Sequence, residues 1–152
     1  MRTKAPFVAG RILFGGFFLY NGINHFARHG QLKQYAASKG VPAPELAVSA
    51  SGIALIAGGA SLITGVKPKL GAAAIAGFLA GVSPKMHDFW RLQDPNQRMS
   101  EMVNFSKNIA LLGAALALME VKEPWRASIE AAREPRGLRR VGRAVRGLLA
   151  AA

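Results

Sequence analysis

The chain has 152 residues, enough for one domain, and 51% of them are apolar, yet Lys and Arg outnumber Asp and Glu by 20 to 8. It contains no cysteine, which excludes disulfides, thiol catalysis and cysteine-ligated zinc or iron–sulfur centres. A net charge of +12 would suit nucleic acid, but the basic residues flank long apolar runs, so they point to anionic lipid head groups instead.

The first run, Pro6 to Phe26, carries Arg11 as its only formal charge. Arg2 and Lys4 imitate the start of a signal peptide, but the run is too long for one and lacks a small-x-small cleavage site. In the 27–45 connection a short helix is predicted over Gln31 to Ser38, stopped by Gly40 and followed by Pro42 and Pro44. The second run, Leu46 to Gly65, has no charge at all. After a short turn with Lys67 and Lys69, the third starts near Leu70 and stays apolar until Lys85, His87 and Asp88. Asp94, Pro95 and Gln97 form a helix-start signal ahead of the fourth run, Met102 to Val121, which holds Lys107 and ends at Glu120.

A hydrocarbon core of about 30 Å needs about 20 helical residues, and each run comes close to that length. Barrel strands would alternate in polarity and be half as long. The expected fold is therefore an all-α membrane four-helix bundle over residues 1–121, with helices at about 6–26, 46–65, 70–88 and 102–121. Small residues are expected at helix contacts: Gly58 and Gly59, Ser61 with Gly65, Gly77 with Gly81, and Gly113 through Ala115. Residues 122–152 form a basic tail with eight basic against three acidic residues. Beyond Pro135, Leu138, Val141, Val145 and Leu148 recur at helical spacing among four arginines, which predicts an amphipathic helix on the lipid surface; the alternatives are a disordered basic tail, given Gly137, Gly142 and Gly147, and a segment that docks on a partner subunit.

Four crossings put both termini on one side, together with Lys67 and Lys69. The positive-inside rule makes that side the cytoplasm, so the expected setting is a bacterial inner membrane, N-in and C-in. Trp90 is then expected at the outer interface and Trp125 at the inner one.

Arg11 with Gly15 and Asn21-Gly22 opens a pattern of landmarks. Gly40-Val41-Pro42, Gly58-Gly59-x-x-Leu62, His87-Asp88-Phe89-Trp90 and Phe105-x-Lys107-Asn108 with Leu111 and Gly113 continue it. In this order and spacing the chain resembles the DoxX family from Pro6 to Met119, leaving the tail unmatched. It departs from that pattern at Ala54, Leu55 and Ile56, where many relatives carry a glutamate before the glycines. The resemblance implies a four-helix membrane protein. Some relatives are subunits of quinone-linked sulfur oxidoreductases, and others are accessory to oxidative-stress assemblies.

Ionisable residues within a membrane are costly, which makes each one a functional candidate. Arg11, Gly15, Phe18, Gly22 and His25 follow steps of four and three, so they share one helix face, with Arg11 and His25 about 21 Å apart. The third helix brings His87 and Asp88 to the His25 end, and the fourth brings Asn104, Lys107 and Asn108. The candidate ligand-binding residues are His25, His87, Asp88, Lys107 and Asn108. Three of them have a plainer role as well: Lys107 with Asp88 as an ion pair between helices, and His25 as a cap on the first helix. Arg11 with Glu120 is the expected structural pair at the other end. No HxxxH or HxxE spacing occurs on one helix, so no metal site is expected, and Met86, Met99 and Met102 read as interfacial packing. Nothing resembles a nucleophile–base pair, a P-loop or a dinucleotide fingerprint, so a self-contained enzyme is not expected. The sequence points to an accessory membrane subunit of a redox or quinone-linked respiratory-type complex. Its expected partners are lipids and other membrane subunits, with quinone as the candidate ligand. The alternative is a purely structural subunit with no ligand chemistry.

Overall fold

Pro44, Pro68 and Pro95 each stand at the start of a helix, where the missing N–H costs nothing because that donor has no partner within the helix. A computed structural model describes residues 5–123 and Trp125, and the amphipathic helix expected beyond Pro135 lies outside them. The described chain forms α1 (Ala5–Ala27), α2 (His29–Ser38), α3 (Pro44–Thr64), α4 (Pro68–Met86), a 3-10 turn at Phe89–Arg91 and α5 (Pro95–Met119). The four long helices and the short α2 are those expected from the sequence. The fourth long helix starts well before its apolar run, at the Asp94 signal, where the carboxylate accepts from Gln97 N at 2.8 Å.

Turn chemistry fixes the joints. Gly40 takes φ +66 and ends α2, with Gly40 N bonded to Ala37 O and Val41 N to Ala36 O, the paired closure of a Schellman motif. At the other end of the bundle, Ser61 Oγ donates to Val66 O and Lys67 O and closes the tight turn into α4. Ala43 and Lys67 both take φ 45 immediately before a proline, a left-handed conformation costly for residues with a Cβ.

α1 packs on α3, α3 on α4 and α4 on α5, with α2 laid against α3. Glycines set the first of these contacts. A Cβ added at Gly15 would lie 2.8 Å from Gly59 O, and one added at Gly22 would lie 2.8 Å from Gly52 O. Between α3 and α4, Gly58 meets Gly71 in the same way. The expected contacts at Gly77, Gly81 and Gly113 do not form, since a Cβ at any of them would meet nothing within 4 Å. The reason is helical phase. The buried face of α4 runs through Gly71, Ala72, Ile75, Ala76, Leu79 and Ser83, and Gly77 and Gly81 fall off that face.

Phe18, Leu55, Leu62, Ile75, Leu79 and Ala115 form the centre of the core. Outside it, Leu13, Tyr20, Ile53, Val103 and Leu116 are all exposed, an apolar exterior suited to lipid. α3 and α5 are long and apolar enough to cross a membrane, and of α5 only Ala115 is buried. α1 and α4 do not meet the same measure, because Arg11, Asn21, Asn24 and His25 dilute the first and Lys69, Pro84 and Lys85 the second.

Trp125 departs from its expected place at a wet interface. It is only 6% exposed, packed edge-on to Phe7 at 4.9 Å with its ring 5.7 Å from the Arg11 guanidinium. Arg11 itself is completely buried, and a covered cation needs an electron-rich face more than the interface needs an indole.

Candidate ligand site at the His87 end of the bundle

The site is assembled where α4 runs out. Pro84 removes one backbone donor from the last turn, and His87 caps the helix through its N–H to Ser83 O at 3.0 Å. The chain then turns through Phe89–Arg91. Phe89, Trp90 and Phe105 stack edge to face, with centroids 5.1–5.8 Å apart, and this aromatic knot fixes the connection against α5. His87 is thereby held against α5, with Nδ1 2.6 Å from Glu101 Oε2. From the other side α2 reaches the same corner: Lys39 Nζ donates to Asp88 Oδ1 at 2.8 Å, and Tyr35 OH donates to Met86 O at 3.3 Å. The Lys39 hydrogen bond holds the Asp88 carboxyl below its usual range, and the same bond raises Lys39 above its own.

Behind this corner lies a cavity of about 500 Å³ between α1, α3, α4 and α5, roofed by α2. Its floor is apolar, with Phe18, Leu55, Leu79 and Leu111. Its polar lining includes Asn21 and His25 of α1, Tyr35 of α2, Ser51 of α3, Lys85 of α4 with His87 at its end, and Lys107 and Asn108 of α5. Gly77 and Gly81 also line it, and the contacts that they do not make with a neighbouring helix leave it its width. The size falls within the range of small-molecule sites, and a mostly apolar wall with a few polar groups is their usual makeup.

Four of the five expected site residues, His25, His87, Lys107 and Asn108, line this cavity. Asp88 does not. Its expected partner was Lys107, but the carboxylate pairs with Lys39, while Lys107 Nζ donates to Asn104 Oδ1 at 3.2 Å. His25 Nδ1 is 2.8 Å from Asn21 O, so the ring caps its own helix while also facing the cavity. At the other end Glu120 is exposed at the end of α5, and the Arg11 guanidinium lies over the rings of Phe7 and Trp125. Among the described residues no group of three or more His, Asp or Glu is placed to hold a metal.

Glu101, Tyr35, Lys39 and Lys85 were not anticipated. Glu101 had a signal, since it precedes Asn108 by seven residues and so shares its helix face. Lys39 had none, because its role depends on how the α2–α3 connection folds back.

The helical bundle, its apolar exterior and its polar-mouthed cavity define a small membrane protein. The DoxX family pattern matches residues 7–88, more than half of the chain, and the protein belongs to the DoxX family. The match ends at Asp88, so α5, with Glu101, Lys107 and Asn108, lies beyond it. No curated protein and no solved structure matches the chain significantly.

Proposed function

We propose that this DoxX-family protein is an accessory membrane subunit that presents an amphipathic redox ligand, a quinone, to a partner complex. Its long helices cross the bilayer four times as one unit over residues 1–121, followed by a basic cytoplasmic tail, with the His87 end on the outer side of a bacterial inner membrane. The supporting observation is the cavity, whose apolar floor suits a ring and tail while His25, His87, Lys107 and Asn108 gather at one end to meet carbonyl oxygens. On this reading electrons reach the ligand through another subunit.

A photoreactive benzoquinone with a decyl tail tests this. Labelling of the purified protein should saturate and map to residues around His87 and Lys107. His87→Phe should weaken it by about tenfold, the loss of one hydrogen bond of about 1.4 kcal/mol. Unsaturable labelling spread over Val103, Ile109 and Leu116 would instead favour the structural reading, in which the exposed face of α5 docks against a neighbouring subunit.

A further inference from the structure

The polar groups around the cavity are unevenly matched. Lys39 is paired with Asp88, Lys33 with Glu45, and Glu101 with His87. Lys85 and Lys107 line the cavity, and neither has a carboxylate partner among the described residues. Among the described residues no Asp or Glu lines the cavity. Both lysines are exposed residues at the edge of an apolar floor, with Asn108 beside Lys107. A cation at such an edge gains a counter-charge from an anionic head that sits against it.

His87 adds a second feature. Its Nδ1 lies 2.6 Å from the Glu101 carboxylate, an acceptor, so Nδ1 carries the proton of that bond. In the neutral ring Nε2 is then the free base, and a proton taken up there leaves an imidazolium already held by Glu101.

We infer that the cavity binds the head of an apolar-tailed phenol or quinol as its oxyanion, with Lys85 and Lys107 as counter-charge and His87 as the proton acceptor. The head's O–H bond breaks heterolytically: the proton passes to His87 Nε2, and the electron pair stays on the oxygen facing the lysines. No electron leaves the ligand in this step. This inference rests on the cavity being a ligand site, and it narrows that site to heads that can become anions. The other mouth charges do not compete, since Lys39, Asp88, Lys33, Glu45 and Glu101 are each engaged with one another or with His87, and α3 contributes no charged side chain to the lining.

The probe is a nitrophenol with an alkyl tail, whose phenolate absorbs visible light, added to the full chain in neutral detergent. The bound probe should ionise about one pH unit lower than in protein-free micelles, a tenfold preference for the anion. K85M and K107M should each return part of that shift, and the double variant should abolish it. R91Q/R98Q removes two positive charges from residues outside the cavity and should leave the shift intact. Dodecanoate should displace the probe better than dodecanol does. Saturable binding without a lowered ionisation, a shift that survives K85M/K107M, or better displacement by dodecanol would each overturn the oxyanion inference while leaving the cavity a ligand site. Absence of saturable binding would overturn both.

Discussion

Asp88 shows how a single backbone step redirects a side chain. The sequence leads one to expect it beside Lys107, but α4 gives way at its cap His87, whose φ of −119 takes the chain off the helical path, and Asp88 pairs with Lys39 instead. Spacing arguments hold only while the helix does, which is why the Arg11-Gly15-Phe18-Gly22 stripe was legible and the Asp88 pairing was not: those four are the buried residues of α1. The Lys39–Asp88 bond carries its own pH signature. Asp88 is held below its ordinary 3.8, so the bond's contribution is complete above that value and is lost as pH falls through the lower value of the fold. Lys39 is raised, so its contribution is complete below its ordinary 10.5 and is lost as pH rises through the higher value of the fold. Thermal unfolding in detergent should therefore weaken at both extremes, and Asp88→Asn should flatten that part of both falls. An unchanged acid and alkaline dependence in the variant would show that the bond does not form. Trp125 is the other residue-scale case. Its burial against Phe7 and Arg11 predicts that Trp125→Ala destabilises the protein by about 3–5 kcal/mol, where an interfacial indole would cost far less.

Between elements, the glycines divide into two kinds that composition alone does not separate. Gly15, Gly22, Gly58, Gly59 and Gly71 let helix backbones approach closely, and Gly52 makes room for the Phe26 ring, whereas Gly77 and Gly81 widen a cavity. Both kinds occur at small-residue spacing on apolar helices, so the sequence shows that small residues matter but not which side of the helix is in contact. Which face of α4 meets α3 is decided by Ile75 and Leu79, the larger apolar residues whose burial stabilises the contact most. The two kinds respond oppositely to one methyl group. Gly59→Ala would put a Cβ 2.5 Å from Gly15 O and should cost about 1–3 kcal/mol, measured as a lower unfolding midpoint. Gly77→Ala meets nothing, so it should stabilise α4 by up to about 1 kcal/mol, the ordinary helix preference of alanine over glycine. It would also narrow the cavity, and quinone labelling should fall in the more stable protein. A loss of stability at Gly77→Ala equal to that at Gly59→Ala would mean that α4 packs on a different face.

At the scale of the whole molecule, the sequence and the fold agree on the helices and leave the number of crossings to experiment. α3 and α5 are apolar enough to span alone, while α1 and α4 carry polar groups that a bundle can shelter but a lone helix in lipid could not. The bundle supplies that shelter. Arg11 is covered, Asn21 and His25 face the cavity, and Lys85 sits near the end of α4, where a long side chain can reach an interface. Four crossings follow if the packed helices enter the membrane as one unit, and the Lys and Arg bias then predicts cytoplasmic termini. Single cysteines can report this cleanly because the chain has none. Gln31 and Gln97 are exposed at the His87 end and Val66 at the opposite turn. With four crossings, an impermeant thiol reagent added to intact cells should label cysteines at Gln31 and Gln97 but not at Val66 or Ala151. If only α3 and α5 crossed, Gln31 and Ala151 would share one side, and Val66 and Gln97 the other. Label at Gln31 and Gln97 together thus requires α4 to cross, and label at Val66 and Ala151 alone would keep four crossings but invert the bundle, moving the cavity mouth to the cytoplasmic side.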